Sequence, residues 1–305
     1  ERTALSYAVG EWARIWPLQT LVKSMGAFFV RRNSRNALYR RVLERYVNLA
    51  TRAGVCQAVF LEGGLTRDGL LRDPRQGFLD YMLRGYHADS HRDIVFVPVG
   101  INYDRVLEDM SLVRKLDQQA NKRSNWFVIR TSLGFAWKTL LMERKKRWLR
   151  FGYASVNFGK PLSVRDYYRK QDIDLAALDQ TARFEQIKRL SESLMSEISR
   201  VVPILPVSLT CEVILDNREQ WLSELDIKSL ATQRIEGLRQ QGAPIRISDS
   251  AREAVLEAAL AMLVGRGFVE SRDNLLRANA ASLDILGYYA NSIRQWKPAK
   301  TALPR

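Results

Sequence analysis

Glu62 closes an apolar run, Val59-Phe60-Leu61, and is followed by Gly63-Gly64-Leu65-Thr66-Arg67-Asp68-Gly69. A carboxylate at a strand end, two glycines and an arginine, in that order, can build a small-molecule site at the edge of a sheet. The glycines let backbone N–H groups approach an oxyanion or a phosphate. The arginine offers a planar fork of donors to a phosphate dianion. Two more arginines, Arg31 and Arg32, close Gly26-Ala27-Phe28-Phe29-Val30, which reads as a short strand. Side chains alternate along a strand, so one of the two faces such a site. Further on, Ile94-Val95-Phe96-Val97-Pro98-Val99-Gly100-Ile101-Asn102-Tyr103-Asp104 is a second buried-strand pattern, broken by Pro98.

The elements that must position these groups alternate. A strand over 26–32 precedes a helix over 37–54. A strand ending at Glu62 precedes a short helix over 78–86, and the Pro98 strand follows. That order predicts βαβ units and a largely parallel sheet. Residues 1–25 carry Trp12, Ile15, Trp16, Leu18, Leu21, Val22 and Met25 at helical spacing, interrupted by Pro17. They read as a core helix or an interfacial one. Residues 121–150 are strongly basic, with Trp126, Trp137 and Trp148 spaced by eleven. That spacing returns to nearly the same helix face, which fits a membrane-surface helix or a partly buried helix with a basic outer face. Residues 150–159 alternate like a strand. Beyond residue 175 the chain reads as mainly helical, over 176–201, 218–240, 250–266 and 280–296. The expected fold class is α/β: a mostly parallel central sheet flanked by helices, then a mainly helical C-terminal domain. The polar stretch 163–175 places the expected domains at 1–171 and 172–305.

The charge narrows the partners. Of 305 residues, 48 are Lys or Arg and 33 Asp or Glu, a net charge of +15. Such a surface attracts polyanions: nucleic acid, an anionic membrane leaflet, or a phosphorylated substrate with an acidic carrier protein. Charge alone does not separate them. Cys56 and Cys211 form no disulfide or metal framework and read as two buried, reduced thiols. No apolar run is long enough for a membrane-spanning helix. The chain starts at Glu1, without Met or signal peptide, and is expected to begin partway into a structural element.

Three stretches taken together resemble one family. They are Gly26-Ala27-Phe28-Phe29-Val30-Arg31-Arg32, Phe60-Leu61-Glu62-Gly63-Gly64-Leu65-Thr66-Arg67, and Val97-Pro98-Val99-Gly100-Ile101-Asn102-Tyr103-Asp104. In order and spacing they are similar to the second, third and fourth motifs of the glycerol-3-phosphate 1-O-acyltransferases. The match is to the large bacterial membrane-associated form, related to the mitochondrial and dihydroxyacetone-phosphate enzymes. It is close over residues 1–170 and weaker beyond, ending at Tyr288-Tyr289-Ala290-Asn291, which resembles a Tyr-Tyr-x-Asn segment of that family.

The resemblance implies acyl transfer from acyl-CoA or acyl carrier protein, with no cofactor, to the sn-1 hydroxyl of glycerol 3-phosphate. It implies a base supplied by a His-x-x-x-x-Asp motif, with the substrate hydroxyl as nucleophile. His87 is followed at that offset by Arg92 and His91 by Phe96, and both follow the third motif rather than precede the second. The expectation is that the motif lies upstream of Glu1, that no catalytic residue lies in this chain, and that residues 1–305 alone are inactive. Arg31, Arg32 and Arg67 are the implied substrate-binding arginines; family position favours Arg32 over Arg31 as the one facing the site, with Arg67 the second phosphate ligand. Glu62 binds glycerol hydroxyls or holds Arg67, Gly63 and Gly64 form the cradle, and Pro98 shapes the acyl side. Where the family often has an arginine, this chain has Leu65, and Arg72 or Arg75 is the expected source of the missing charge. The implied location is peripheral, on the cytoplasmic face of the inner membrane against anionic lipid, with no nucleic acid bound. The rival readings are a basic nucleic-acid-binding protein and a non-catalytic acyltransferase-like scaffold.

Overall fold

The order of elements begins with β1 (Ser6–Gly10), α1 (Leu18–Ser24), β2 (Ala27–Val30), α2 (Ala37–Arg52), β3 (Gln57–Ala58), α3 (Gly77–Leu83), β4 (Val95–Phe96), β5 (Val99–Tyr103) and α4 (Asp109–Arg114). It continues with β6 (Ala154–Phe158), β7 (Leu162–Ser163), α5 (Val164–Arg169), α6 (Gln180–Val201), α7 (Pro206–Asp216), β8 (Leu222–Ser223), α8 (Glu224–Gln240), α9 (Arg252–Gly265), β9 (Val269–Arg272), β10 (Leu275–Ala278) and α10 (Leu283–Asn291). The structure, a computed structural model, describes residues 5–11, 14, 16, 18–31, 34–106, 109–114 and 152–297. Trp126, Trp137 and Trp148 lie outside them. The fold is α/β, with a parallel three-stranded sheet and a helical C-terminal region. Two compact units interleave along the chain. One comprises Glu1–Leu65, Arg72–Pro98 and Lys160–Glu197, the other Thr66–Leu71, Val99–Gly159 and Ile198–Arg305.

The first unit is built on the parallel sheet, ordered β2-β1-β3. Residues 6–10 are therefore strand, not part of an N-terminal helix. Tyr7 to Gly10 pair with Ala27 to Val30, and Ser6 and Tyr7 with Gln57 and Ala58. Interstrand pairing on both sides of β1 sets residues 6–10 as strand, and among the described residues of this stretch the α-helix is α1. The strand expected to run to Glu62 also ends early, at Ala58, and Phe60 is exposed. Cys56 is exposed rather than buried, because it lies in the loop feeding β3, where its carbonyl accepts the Ser6 N–H at 2.8 Å.

Local chemistry sets the helix ends. Asn36 caps α2, its Oδ1 accepting the Tyr39 N–H at 3.0 Å. Gly54, at φ +77°, closes the same helix, with the Val55 N–H returning to the Ala50 carbonyl. The buried Asn48 amide donates to the carbonyls of Tyr81 and Arg84, tying α2 to the end of α3. Asp80 joins α3 to α6 through Arg183 at 3.2 Å, and Arg84 bridges Asp80 and Glu44. Asp93 accepts from Tyr86 Oη, Ser163 Oγ and the Arg165 N–H, which fixes the start of α5. Burial would raise the Asp93 carboxyl, but these donors outweigh it and hold it below the ordinary carboxylate range.

The second unit is organised around α7, an element that the prolines at 203 and 206 concealed in the sequence. Pro206 starts the helix, a position where its missing N–H costs nothing. Every residue from Pro206 to Ile214 is buried, and a helix apolar on most of its circumference belongs in a core. It packs on α8, α9 and α10. The β9–β10 hairpin, also unforeseen, turns through Asp273 and Asn274 at φ 49° and 62°, the conformation of a two-residue primed turn. The β5–β6 pair is antiparallel, unlike the sheet of the first unit.

Asp104 ends the β5 segment and is 2% exposed. Its carboxylate accepts the Tyr153 N–H at 2.8 Å and the Val207 N–H, in the first turn of α7, at 2.9 Å. Burial pushes it from 3.8 up to about 6, opposed by those two hydrogen bonds. A folded-state value above the unfolded one means that the native state binds the extra proton. This contribution is therefore fully present below pH 3.8 and lost as pH rises through about 6. The swing is about 3 kcal/mol. Denaturant titrations from pH 4 to 7 should show this slope in the wild type and its loss in Asp104→Asn. An identical slope in both would remove Asp104 as its source.

Candidate substrate site

In a parallel sheet, ligands gather where strands end at their carboxyl termini. β1 ends at Gly10 and hands over to Glu11, and β2 ends at Val30 and hands over to Arg31. Gly10 and Val30 are register partners, so the two charges emerge side by side. Arg31 Nε lies 3.0 Å from Glu11 Oε1, and Arg14 Nη1 lies 3.4 Å from the same oxygen. The Arg31 backbone N–H donates to Tyr39 Oη at 2.9 Å, which fixes the main chain while leaving the guanidinium at the surface. Both partners of the Arg31–Glu11 pair are largely exposed, and an ion pair of that kind is worth at most about 1 kcal/mol. A dianion can displace Glu11 cheaply. Arg32 lies outside the described residues.

β3 hands over at the same edge to residues 59–64. Gly63 adopts φ +65° and its N–H donates to the Phe60 carbonyl at 3.0 Å, so that donor closes the turn rather than facing a ligand. Gly64 follows, half-buried. Glu62 Oε2 accepts the Arg72 N–H at 3.0 Å, and the Arg75 N–H reaches the Leu61 carbonyl at 2.8 Å. The returning segment thus brings the Arg75 side chain over Gly63, where a β-carbon would stand 2.6 Å from Arg75 Cδ. This places a cation at the glycine turn, where Leu65, 69% exposed, supplies none.

The motif from Phe60 to Arg67 is divided between the units. Residues 60–65 belong to the first and Thr66–Leu71, with Arg67, to the second. Arg67 is exposed. Its loop is a built turn: Thr66 Oγ1 donates to Asp68 Oδ1 at 2.9 Å, and Gly69 and Leu70 donate their N–H groups to Thr66 Oγ1 and Asp68 Oδ1. Pro98 is buried and joins β4, which pairs with β7, to β5, which pairs with β6. His91 lines a cleft with Arg52, Arg84 and Arg92. Arg92 donates to the Ala53 carbonyl beside the entry to β3, so this cleft lies at the amino edge of the sheet, away from Arg31 and Glu62.

Glu11 and Arg14 were missed in the sequence. The signal was there, a short apolar run ending at a lone carboxylate as at Glu62, but helical spacing over residues 1–25 hid it. Among the described residues no three His, Cys, Asp or Glu side chains are placed to hold a metal ion, and no helix is long and apolar enough to cross a membrane.

Comparison with known proteins adds two family matches. Residues 137–296 match the glycerol-3-phosphate acyltransferase C-terminal region, and residues 2–102 match the acyltransferase family. A glycerol-3-phosphate acyltransferase of Haemophilus influenzae (strain PittEE) is 25% identical over 298 residues, covering 94% of this chain and 35% of the relative. Those of Pseudomonas entomophila (strain L48) and Pasteurella multocida (strain Pm70) are each 27% identical, covering 90% and 94% of this chain and 33% and 35% of the relative. The chain spans about a third of the length of the curated relatives it matches.

Proposed function

This chain belongs to the glycerol-3-phosphate acyltransferase family, and we propose that it forms the acceptor-binding part of an enzyme that acylates the sn-1 hydroxyl of glycerol 3-phosphate. The observation that carries the reading is the carboxyl edge of the β1–β3 sheet, where Arg31 and Glu11 emerge side by side and from which β3 leads on to the Glu62 turn. The phosphate dianion takes Arg31 from Glu11, with Arg75 replacing the charge absent at Leu65; the phosphate role of Arg67 rests on the resemblance of its motif alone. Glu62, its Oε2 oriented by the Arg72 N–H, accepts from a glycerol hydroxyl. Pro98 shapes the acyl side.

The acyl donor is a thioester of coenzyme A or of acyl carrier protein. The attacking hydroxyl loses its proton to a base of the His-x-x-x-x-Asp kind, a motif that neither His87 nor His91 starts. The product is 1-acylglycerol 3-phosphate. The net charge of +15 supports a peripheral position on an anionic membrane surface, at the cytoplasmic face of the inner membrane.

The test is an acyl-transfer assay on the full-length protein, comparing glycerol 3-phosphate with dihydroxyacetone phosphate as acceptor and acyl-CoA with acyl carrier protein as donor. Absence of transfer to either acceptor would sink the reading. Within it, Arg67→Ala should raise the glycerol 3-phosphate KM with little change in the acyl-donor KM. Loss of one charge-assisted contact costs about 1.5–3 kcal/mol. An unchanged acceptor KM would remove Arg67 from the site.

A further inference from the structure

We infer that Asn291, on α10, is a positioning residue for the acceptor loop: it holds Thr66–Leu71, and with it Arg67, in the phosphate-receiving conformation. The inference rests on the acceptor role proposed for Arg67. Two contacts dock the loop on α10. Asn291 Nδ2 donates to the Asp68 carbonyl at 2.8 Å. Gly69, at φ +80°, lies against the Tyr288 carbonyl so closely that a β-carbon would stand 1.9 Å from it. Only glycine accepts both that backbone conformation and that approach.

Tyr289, on the same helix, does the same for a second segment. Tyr289 Oη accepts the Val106 N–H at 3.1 Å and donates to Asp109 Oδ2 at 2.5 Å. One short helix thus holds two segments, the one carrying Arg67 through Asn291 and the one that follows β5 through Tyr289. Arg67 lies one residue from the Asp68 carbonyl, so loss of the Asn291 bond loosens the main chain that aims its guanidinium. A group held within a fraction of an ångström binds its ligand far better than one that must be ordered on binding.

The test is a double-mutant cycle in the full-length protein, read by kinetics and by amide hydrogen exchange. Asn291→Ala should raise the glycerol 3-phosphate KM about fivefold, the scale of one neutral hydrogen bond, with kcat and acyl-donor KM within twofold. Exchange at the Gly69 and Leu70 amides should accelerate. In an Arg67→Ala background the same change should alter KM by less than twofold, because the two residues act through one contact. Equal KM factors in both backgrounds, unchanged exchange, or a joint loss of kcat and both KM values would overturn the inference. Should Asn291→Ala fail to fold, Gly69→Ala displaces the loop from its own side and is expected to give the same pattern. A wild-type protein with no acyl transfer but with the predicted exchange change would defeat the enzymatic reading and leave the docking intact.

Discussion

Replacing Gly100 with alanine is expected to destabilise the second unit by about 3 kcal/mol, the upper end for forcing a methyl group into a packed interior. A β-carbon there would stand 2.5 Å from the carbonyl carbon and oxygen of Val201 and 2.6 Å from the Val202 nitrogen. All three obstacles are main chain at the end of α6, so no rotamer change relieves the clash. The carbonyl is held in place as well: Asn157, the register partner of Gly100, donates to Val201 O at 3.1 Å. Two residues on, the buried Asn102 donates to the Pro203 carbonyl at 2.8 Å. One face of the β5–β6 pair therefore recognises backbone carbonyls, and glycine is the residue that lets them in. Chemical denaturation of Gly100→Ala beside Gly237→Ala provides the check. Gly237 lies inside α8 with open space around its missing β-carbon, and alanine there should stabilise by up to about 1 kcal/mol. Equal midpoints for the two variants would contradict this account.

Arg266→Met should be at least as damaging. Arg266 grips Asp109 with both terminal nitrogens, at 2.7 and 3.0 Å, and lies over the Phe268 ring at 4.3 Å. Asp109 is 2% exposed. Removing the cation strands a buried carboxylate whose remaining side-chain donor is Tyr289 Oη, and breaking a buried pair from one side costs about 3–5 kcal/mol. The double replacement Asp109→Leu with Arg266→Met removes both charges and should recover a large part of the loss, since a buried pair often contributes little over an apolar pair of similar volume. Thermal melts of the three proteins separate the cases. A double variant no more stable than Arg266→Met would show that packing around Phe268, rather than the stranded charge, sets the cost.

The local parts of this protein were legible from its residues. Asn36 before α2 and Gly54 after it state the helix in the sequence. The run ending in Arg31 announces a strand end at the edge of a parallel sheet, and the three motifs in order point to the family, although the strand before Glu62 stops at Ala58. Errors arose where local signals compete with distant ones. Residues 6–10 fall within a stretch that reads as helix from the spacing of Trp12 to Met25, yet two strand partners, at 27–30 and 57–58, make them strand. Pro203 and Pro206 look like interruptions, yet Pro206 opens a helix buried from Pro206 to Ile214, whose Val207 N–H is taken by a carboxylate 103 residues away.

What only the tertiary structure decided is who holds what. Leu65 stands where the related family often has an arginine, and only the folded chain shows that the Arg75 side chain packs over Gly63 beside it. Glu62 and Arg67 are five residues apart in one motif, yet the fold assigns them to different units. The sequence by itself determined the chemistry on offer: a carboxylate, a glycine turn and arginines suited to a phosphate. Their placement depends on contacts such as Asn291 to the Asp68 carbonyl and Asn102 to the Pro203 carbonyl. The acceptors in those contacts are backbone groups, the same at every residue, so no residue type marks them and only the folded chain reveals them.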